Sequence, residues 1–466
     1  MKYISTRGNA PILNFKETFL TGLASDGGLY VPEEYPVFSS SKISSLKNLN
    51  YQELCYEIFL PFIGKEIPAE KLKEIIEKSY QDSVFTHAAV APLKQLSKKH
   101  YILELFHGPT NAFKDFALQL IGHMLAYFLK ENSEKAIILG ATSGDTGSAA
   151  IHGCKNCKRA DIYILHPHNR TSEVQRKQMT TVKDKNVFNI AIKGDFDDAQ
   201  NIVKHVFCNQ EFIANKKRLI AVNSINWVRI MGQIVYYFYS ALALGAPNNR
   251  ISYSVPTGNF GDIFAGYVAR KMGLPIEKLI IATNKNDILS RFINQNSYKR
   301  KKLVESLSPS MDIQISSNFE RLLFDMHDNN SKKLSELMCS FKEKGEISVT
   351  SEVLDKIKAI FLASKSTDKD IVKIMKSIST NSDEILDPHT AAGVKSALEY
   401  EHIINGPIIT LATAHPGKFP LALKKAKLNL PYLPDTLAKP LKEKEKFEIF
   451  DKNTSQITDY IAKNSL

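Results

Sequence analysis

The stretch Ala136-Ile137-Ile138-Leu139-Gly140-Ala141, continuing through Thr142-Ser143-Gly144-Asp145-Thr146-Gly147 into Ser148-Ala149-Ala150, reads as a strand, a turn and a helix start. The apolar run has the pattern of a strand, and the small, polar, glycine-punctuated turn after it points backbone N–H groups outward, at an anion. The same order recurs downstream. Ile251-Ser252-Tyr253-Ser254-Val255 alternates as a strand does, Pro256-Thr257-Gly258-Asn259-Phe260-Gly261-Asp262 is glycine-rich, and an amphipathic helix over 263–272 ends at Gly273. Strand, Gly-rich loop and helix N-terminus make the geometry of a phosphate cradle, in which glycine lets the backbone come close to the anion and adopt positive φ.

Working outward, strand-like stretches recur at 161–166, 187–192, 219–223, 279–283 and 408–412, with amphipathic helical patterns such as 197–206 and 226–244 between them. The expected fold class is α/β, a largely parallel sheet covered by helices. Ligands on such sheets sit at the carboxyl ends of strands, where both glycine loops fall.

A third segment adds a nucleophile. Phe106-His107-Gly108-Pro109-Thr110-Asn111-Ala112-Phe113-Lys114-Asp115-Phe116-Ala117 sets Lys114 among phenylalanines, after a Gly-Pro turn and before a helical stretch. A lysine amine becomes a useful nucleophile when desolvation or a neighbouring cation lowers its pKa, and apolar flanks supply the desolvation. Alone, such a lysine reads more readily as a surface residue with its stem on apolar neighbours. The two anion loops in the same chain turn the reading toward Schiff-base chemistry.

At 466 residues, 43% of them hydrophobic, the chain has the length of two domains plus an extension and the composition of a soluble globular protein. Its N-terminus lacks an apolar signal region, and the apolar run 235–246 is too short to span a bilayer, so no membrane role and a cytoplasmic location are expected. Five cysteines are too sparse for a disulfide framework; Cys154 and Cys157 form a CxxC without a second pair or histidines at zinc spacing, so no metal is expected. The net charge of +12 raises nucleic acid as a partner, but the lysines are scattered, and the denser runs 299–302 and 439–446 lack stacking aromatics. A basic field of this kind also concentrates an anionic small-molecule substrate.

Together these segments resemble the threonine synthases, fold type II pyridoxal-phosphate enzymes (tryptophan synthase β-like), and within them the longer subclass of many bacteria and yeast. The resemblance also rests on Tyr3-Ile4-Ser5-Thr6-Arg7-Gly8, on Gly22-Leu23-Ala24-Ser25-Asp26-Gly27-Gly28-Leu29-Tyr30-Val31-Pro32, on Asp387-Pro388-His389-Thr390-Ala391-Ala392-Gly393 and on Thr413-Ala414-His415-Pro416-Gly417-Lys418-Phe419. These motifs stand in the family's order over nearly the whole chain. The resemblance implies an N-terminal domain over 1–92, a catalytic region over 93–421 with a helical elaboration near 300–385, and a tail over 422–466 that packs on the surface.

It also implies roles. Lys114 would hold pyridoxal 5'-phosphate covalently and move protons between substrate carbons. Gly258, Asn259, Phe260, Gly261 and Asp262 would bind the cofactor phosphate, and Thr413 would face the pyridine nitrogen with a neutral hydroxyl, a role for which Thr410 is the other occupant. Ser143, Gly144, Asp145, Thr146 and Gly147 would clasp the substrate carboxylate. Related enzymes place an Asn in this loop against the cofactor's phenolic oxygen; here Asp145 stands, and two anionic oxygens repel unless one carries a proton. Asn111 is the alternative donor. Asn223, Ser224 and Arg229 would take the substrate's phosphate, Arg229 otherwise being an exposed helix residue. The implied reaction makes L-threonine and phosphate from O-phospho-L-homoserine and water, by a monomer. A phospho-lyase releasing a 2-oxo acid and a non-catalytic cofactor-binding protein are the alternatives.

Overall fold

The computed structural model describes residues 1–210, 213, 217–221 and 223–465. Its strands in chain order are β1 (Tyr3–Ser5), β2 (Tyr30–Pro32), β3 (Leu93–Gln95), β4 (His100–Glu104), β5 (Lys135–Ala141), β6 (Ala160–Pro167), β7 (Val187–Ile192) and β8 (Lys217–Ala221). They continue with β9 (Ile251–Pro256), β10 (Ile276–Thr283), β11 (Tyr298–Lys299), β12 (Glu346–Ile347), β13 (Phe361–Lys365), β14 (Ile408–Ala412) and β15 (Glu448–Phe450). The strand expected over 219–223 is β8, and residue 222 of it lies outside the described residues. The chain groups into two units: Met1–Lys73, Thr86–His107 and Ser224–Pro431 in the first, and Glu74–Phe85, Gly108–Asn223 and Tyr432–Leu466 in the second.

The first unit is built on a six-stranded sheet in the order β13-β10-β9-β14-β4-β3, parallel except for β3 at its edge. β9 and β14 are buried at every position, as central strands with helices on both faces must be. Two short antiparallel ribbons, β1-β2 and β11-β12, belong to the same unit. The stretch 300–385, expected to be a helical elaboration, does carry the helices Phe319–Met326, Ser331–Lys344, Ser351–Lys358 and Asp368–Ser382. It also donates β13, which runs parallel to β10 and forms an edge of the main sheet.

The second unit carries a five-stranded sheet, β15-β7-β6-β5-β8, parallel throughout. β6 is buried at all eight positions. One core layer joins Ile137, Leu139, Leu165, Ile190 and Ile192 to Ile202 and Val206 of the Phe196–Cys208 helix, and to Ile457 and Ile461 near the C-terminus. The tail is therefore more than a surface segment. Its β15 extends the sheet beside β7, and its Thr454–Asn464 helix buries two isoleucines, each contributing about 1.5–3 kcal/mol.

Two helices of this unit meet backbone to backbone. A Cβ at Gly122, in the Lys114–Glu131 helix, would lie 1.8 Å from the carbonyl oxygen of Gly153 in the Asp145–Cys154 helix, and a Cβ at Gly153 would lie 2.2 Å from that of Leu118. Only glycine permits this approach. Gly122→Ala is expected to force the helices apart and destabilise the unit by about 1–3 kcal/mol. A thermal melting midpoint equal to the parent's would refute this.

Candidate functional site

In the second unit, Lys114 is the first residue of its helix. The turn before it is pinned to the helix start, because Asp115 accepts the Thr110 N–H at Oδ2 and the Thr110 hydroxyl at Oδ1, both at 2.8 Å. A Cβ on Gly108 would lie 2.6 Å from that of Asp115, so glycine is needed for the turn to close. The Lys114 side chain is 12% exposed, its Nζ 4.8 Å from the Phe113 ring centroid and 3.5 Å from Asp145 Oδ2. Asn111 is left-handed, with φ of 55°, and its Oδ1 accepts the Thr436 hydroxyl at 2.7 Å.

The loop after β5 is shaped from inside. The buried Thr142 hydroxyl oxygen accepts the N–H groups of Gly144 at 3.0 Å and Gly147 at 2.9 Å. Gly144 has φ of 153°, and a Cβ there would meet the Gln175 side chain at 2.6 Å. Both glycines thus give the loop its form, and Ser143 precedes a helix start at Asp145 and Thr146, where backbone N–H groups are left without intrahelical partners. The Asp145 carboxylate is itself buried, Oδ1 accepting from Gln175 Nε2 at 2.8 Å. Thr142, Gln175 and Thr436 are participants that the sequence reading missed.

In the first unit, the loop after β9 presents its N–H groups because its carbonyls are tied back. Gly258 O accepts the Ser316 hydroxyl at 2.7 Å, and Asn259 O accepts Asn318 N–H and Nδ2, each at 3.0 Å. Phe260 is left-handed, with φ of 63°, and the helix Gly261–Lys271 begins at once. A Cβ on Gly258 would sit 2.8 Å from Ser310 O. Asp262 is anchored differently from its neighbours: its Oδ1 accepts the hydroxyls of Tyr236 at 2.6 Å and Tyr237 at 3.0 Å. Burial, reinforced by that carboxylate, pushes both phenols far up.

Arg229 lies in the first turn of the Trp227–Ala243 helix and is 3% exposed, not a surface residue. Its Nε and Nη1 have no hydrogen-bond partner among the described residues, and burial lowers its pKa to about 10. Asn318 links this turn to the phosphate loop, since its Nδ2 also donates to Ser224 O at 3.2 Å, and Ile230 is 3.6 Å from where a Gly261 Cβ would be. Of the expected trio, Ser224 and Arg229 fall in this unit and Asn223 in the other.

At the end of β14, Thr410 bonds His100 Nε2 at 2.7 Å, and Thr413 lies buried just beyond the strand. His389 is structural: its Nε2 accepts the Ser310 N–H at 3.1 Å, so its Nδ1 carries the proton shared with Asp387 at 2.7 Å. His415 caps a turn through the Gly417 N–H, and burial lowers its pKa to about 4. Burial likewise pushes the Cys154 thiol up to about 12, leaving it protonated.

Taken unit by unit, the residues suit the parts of a phosphorylated aldehyde with a ring nitrogen: the second unit holds an enclosed lysine that an aldehyde carbon could take, and the first a glycine loop of N–H groups suited to a phosphate and a buried neutral hydroxyl at Thr413. Comparison with known proteins agrees. The family model for the threonine synthase N terminus matches residues 2–80, that for pyridoxal-phosphate dependent enzymes matches 86–338, and that for the threonine synthase C-terminal region matches 390–461. A threonine synthase of Pseudomonas aeruginosa is 51% identical over 465 residues, covering 100% of this chain and 98% of its own. A crystal structure of PLP-bound threonine synthase from Brucella melitensis superposes with a TM-score of 0.96 at 47% identity, covering 100% and 99% of the two chains. The yeast threonine synthase structure gives 0.93 at 38% identity, with 99% and 98% covered. With three family models matched along it and a relative 51% identical over its whole length, the chain belongs to the threonine synthase family of pyridoxal-phosphate-dependent enzymes.

Proposed function

We propose that the protein converts O-phospho-L-homoserine and water into L-threonine and phosphate. The observation that carries this reading is Arg229, a buried guanidinium in the first turn of its helix with two nitrogens unpartnered among the described residues, in the unit that also holds the separate glycine loop Gly258–Asp262. A reaction on a phosphorylated substrate with a phosphorylated cofactor needs two such places. Lys114 takes the aldehyde carbon, Gly258, Asn259, Phe260, Gly261 and Asp262 the cofactor phosphate, Thr413 the ring nitrogen, and Asn111 the phenolic oxygen. Ser143 and Thr146 hold the substrate carboxylate, with Gly144 and Gly147 shaping their loop; Asn223, Ser224 and Arg229 hold the substrate phosphate.

When bound, the cofactor stores the electron pair released as substrate C–H bonds break. The chain's own part is proton handling and positioning. Lys114 Nζ takes a proton from the α-carbon and moves one from the β-carbon to the γ-carbon, which loses phosphate; water gives its hydroxyl to the β-carbon and its remaining proton to the departing phosphate, and Nζ returns a proton to the α-carbon. Arg229 holds the leaving group throughout. The same reading makes the protein a cytoplasmic monomer whose partners are small molecules rather than nucleic acid or membrane.

The test is to incubate the pyridoxal-phosphate-loaded protein with O-phospho-L-homoserine and to quantify phosphate, threonine and 2-oxobutyrate together. Equimolar phosphate and threonine are expected; phosphate with 2-oxobutyrate would make it a lyase. Thr413→Asp is expected to raise the 2-oxobutyrate share, because a carboxylate protonates the ring nitrogen and strengthens the electron sink. An unchanged product ratio would remove Thr413 from its role.

A further inference from the structure

The loop expected to clasp a carboxylate already contains one. Asp145 Oδ2 is 3.5 Å from Lys114 Nζ, with the two side chains 4% and 12% exposed. Its other oxygen is held by Gln175 Nε2 at 2.8 Å, and Gln175 Oε1 in turn accepts the Ser172 hydroxyl at 2.8 Å. The spacing is built into the fold: Lys114 and Asp145 each open a helix, and those helices are locked together where Gly122 meets Gly153. Charged residues flanking Lys114 and Gln175 in sequence have partners of their own. Asp115 holds Thr110, Arg176 is paired with Glu445 at 2.8 Å, and Lys177 Nζ donates to Leu441 O at 2.6 Å.

We propose that Asp145, clamped by Gln175, is a positioning residue for the Lys114 amine, holding it by charge and direction whenever the amine is not covalently engaged, rather than a ligand of the substrate carboxylate. This rests on the reading that Lys114 carries the cofactor and shuttles protons. A proton taken from a substrate carbon leaves its electron pair behind and arrives on Nζ, whose new positive charge Asp145 then meets. When Nζ passes the proton to another carbon, the ion pair dissolves. A fixed carboxylate also repels an incoming α-carboxylate, so its removal separates the two roles.

Asp145→Asn keeps the shape and removes the charge. In the cofactor-loaded protein, kcat is expected to fall about 100-fold, while KM for O-phospho-L-homoserine stays level or falls. The pH at which the visible band of the bound cofactor changes is expected to move down, as loss of a nearby anion requires of a cation. A KM raised tenfold or more with kcat nearly kept would make Asp145 a substrate ligand and overturn the proposal; so would an unmoved band. If Asp145→Asn does not fold, as a lost melting transition would show, Gln175→Ala leaves the carboxylate but loosens it. A smaller kcat loss in the same direction supports the proposal, and an unchanged kcat overturns it. If the parent protein forms no threonine, the functional reading fails, yet the band shift, which needs only bound cofactor, still decides the role of Asp145.

Discussion

Lys114→Ala is expected to abolish turnover, lowering phosphate release by at least ~10³-fold, and to remove the covalently held visible band when pyridoxal phosphate is added. The expectation follows from where the amine is placed. Lys114 opens its helix from a turn that Asp115 and Thr110 lock, and its Nζ lies between the Phe113 ring and the Asp145 carboxylate. Nothing introduced by alanine can bond the aldehyde or carry a proton. The phosphate cradle is untouched by the change, so cofactor should still bind, weakly and reversibly. Asp145 loses a charged partner in a buried place, which destabilises the variant by about 1–3 kcal/mol, although Gln175 remains bonded to it. Absorbance after gel filtration and a phosphate-release assay check both halves. Turnover within tenfold of the parent would mean that the amine of another residue does the work.

What the sequence made legible was local. The strands over 136–141, 161–166, 187–192 and 251–255 and the helices over 197–206, 226–244 and 263–272 appear in the structure within a few residues of expectation, because each carries its own local apolar pattern, and several are ended by a glycine. The three loops could be read for the same reason. β13 and β15 were missed: five and three residues long, they are strands only because β10 and β7 lie beside them. The supporting residues of the site were hidden by distance along the chain. Thr436 reaches Asn111 across 325 positions, Gln175 reaches Asp145 across 30, and Asn318 reaches Asn259 across 59. No periodicity records such pairs. Thr142 was within reach, since a threonine hydroxyl that caps the N–H two residues on is a known turn device. The charge conflict at Asp145 was visible in sequence, but its resolution needed the position of Lys114 Nζ.

Arg229→Met should separate substrate binding from stability, and in opposite directions. The guanidinium is buried, two of its nitrogens lack partners among the described residues, and its pKa of about 10 shows that the charged form is disfavoured there. At pH 7, well below that value, the group is charged and the full penalty of burying it is present. A methionine of similar volume removes the penalty without opening a large cavity, so the cofactor-loaded variant should gain about 1–3 kcal/mol and melt higher. The same change removes the partner of the substrate's phosphate. A lost charge-assisted bond of about 2–3 kcal/mol corresponds to a KM raised roughly 30- to 150-fold, with cofactor affinity unchanged because the cradle at Gly258–Asp262 is a separate set of N–H groups. Inorganic phosphate offers a substrate-free check on the loaded protein: it should raise the melting midpoint of the parent and leave that of the variant in place. Loss of cofactor from Arg229→Met, or an equal phosphate response in both proteins, would place the substrate's phosphate elsewhere. A lower melting midpoint would mean that Arg229 is held by a partner and serves the fold.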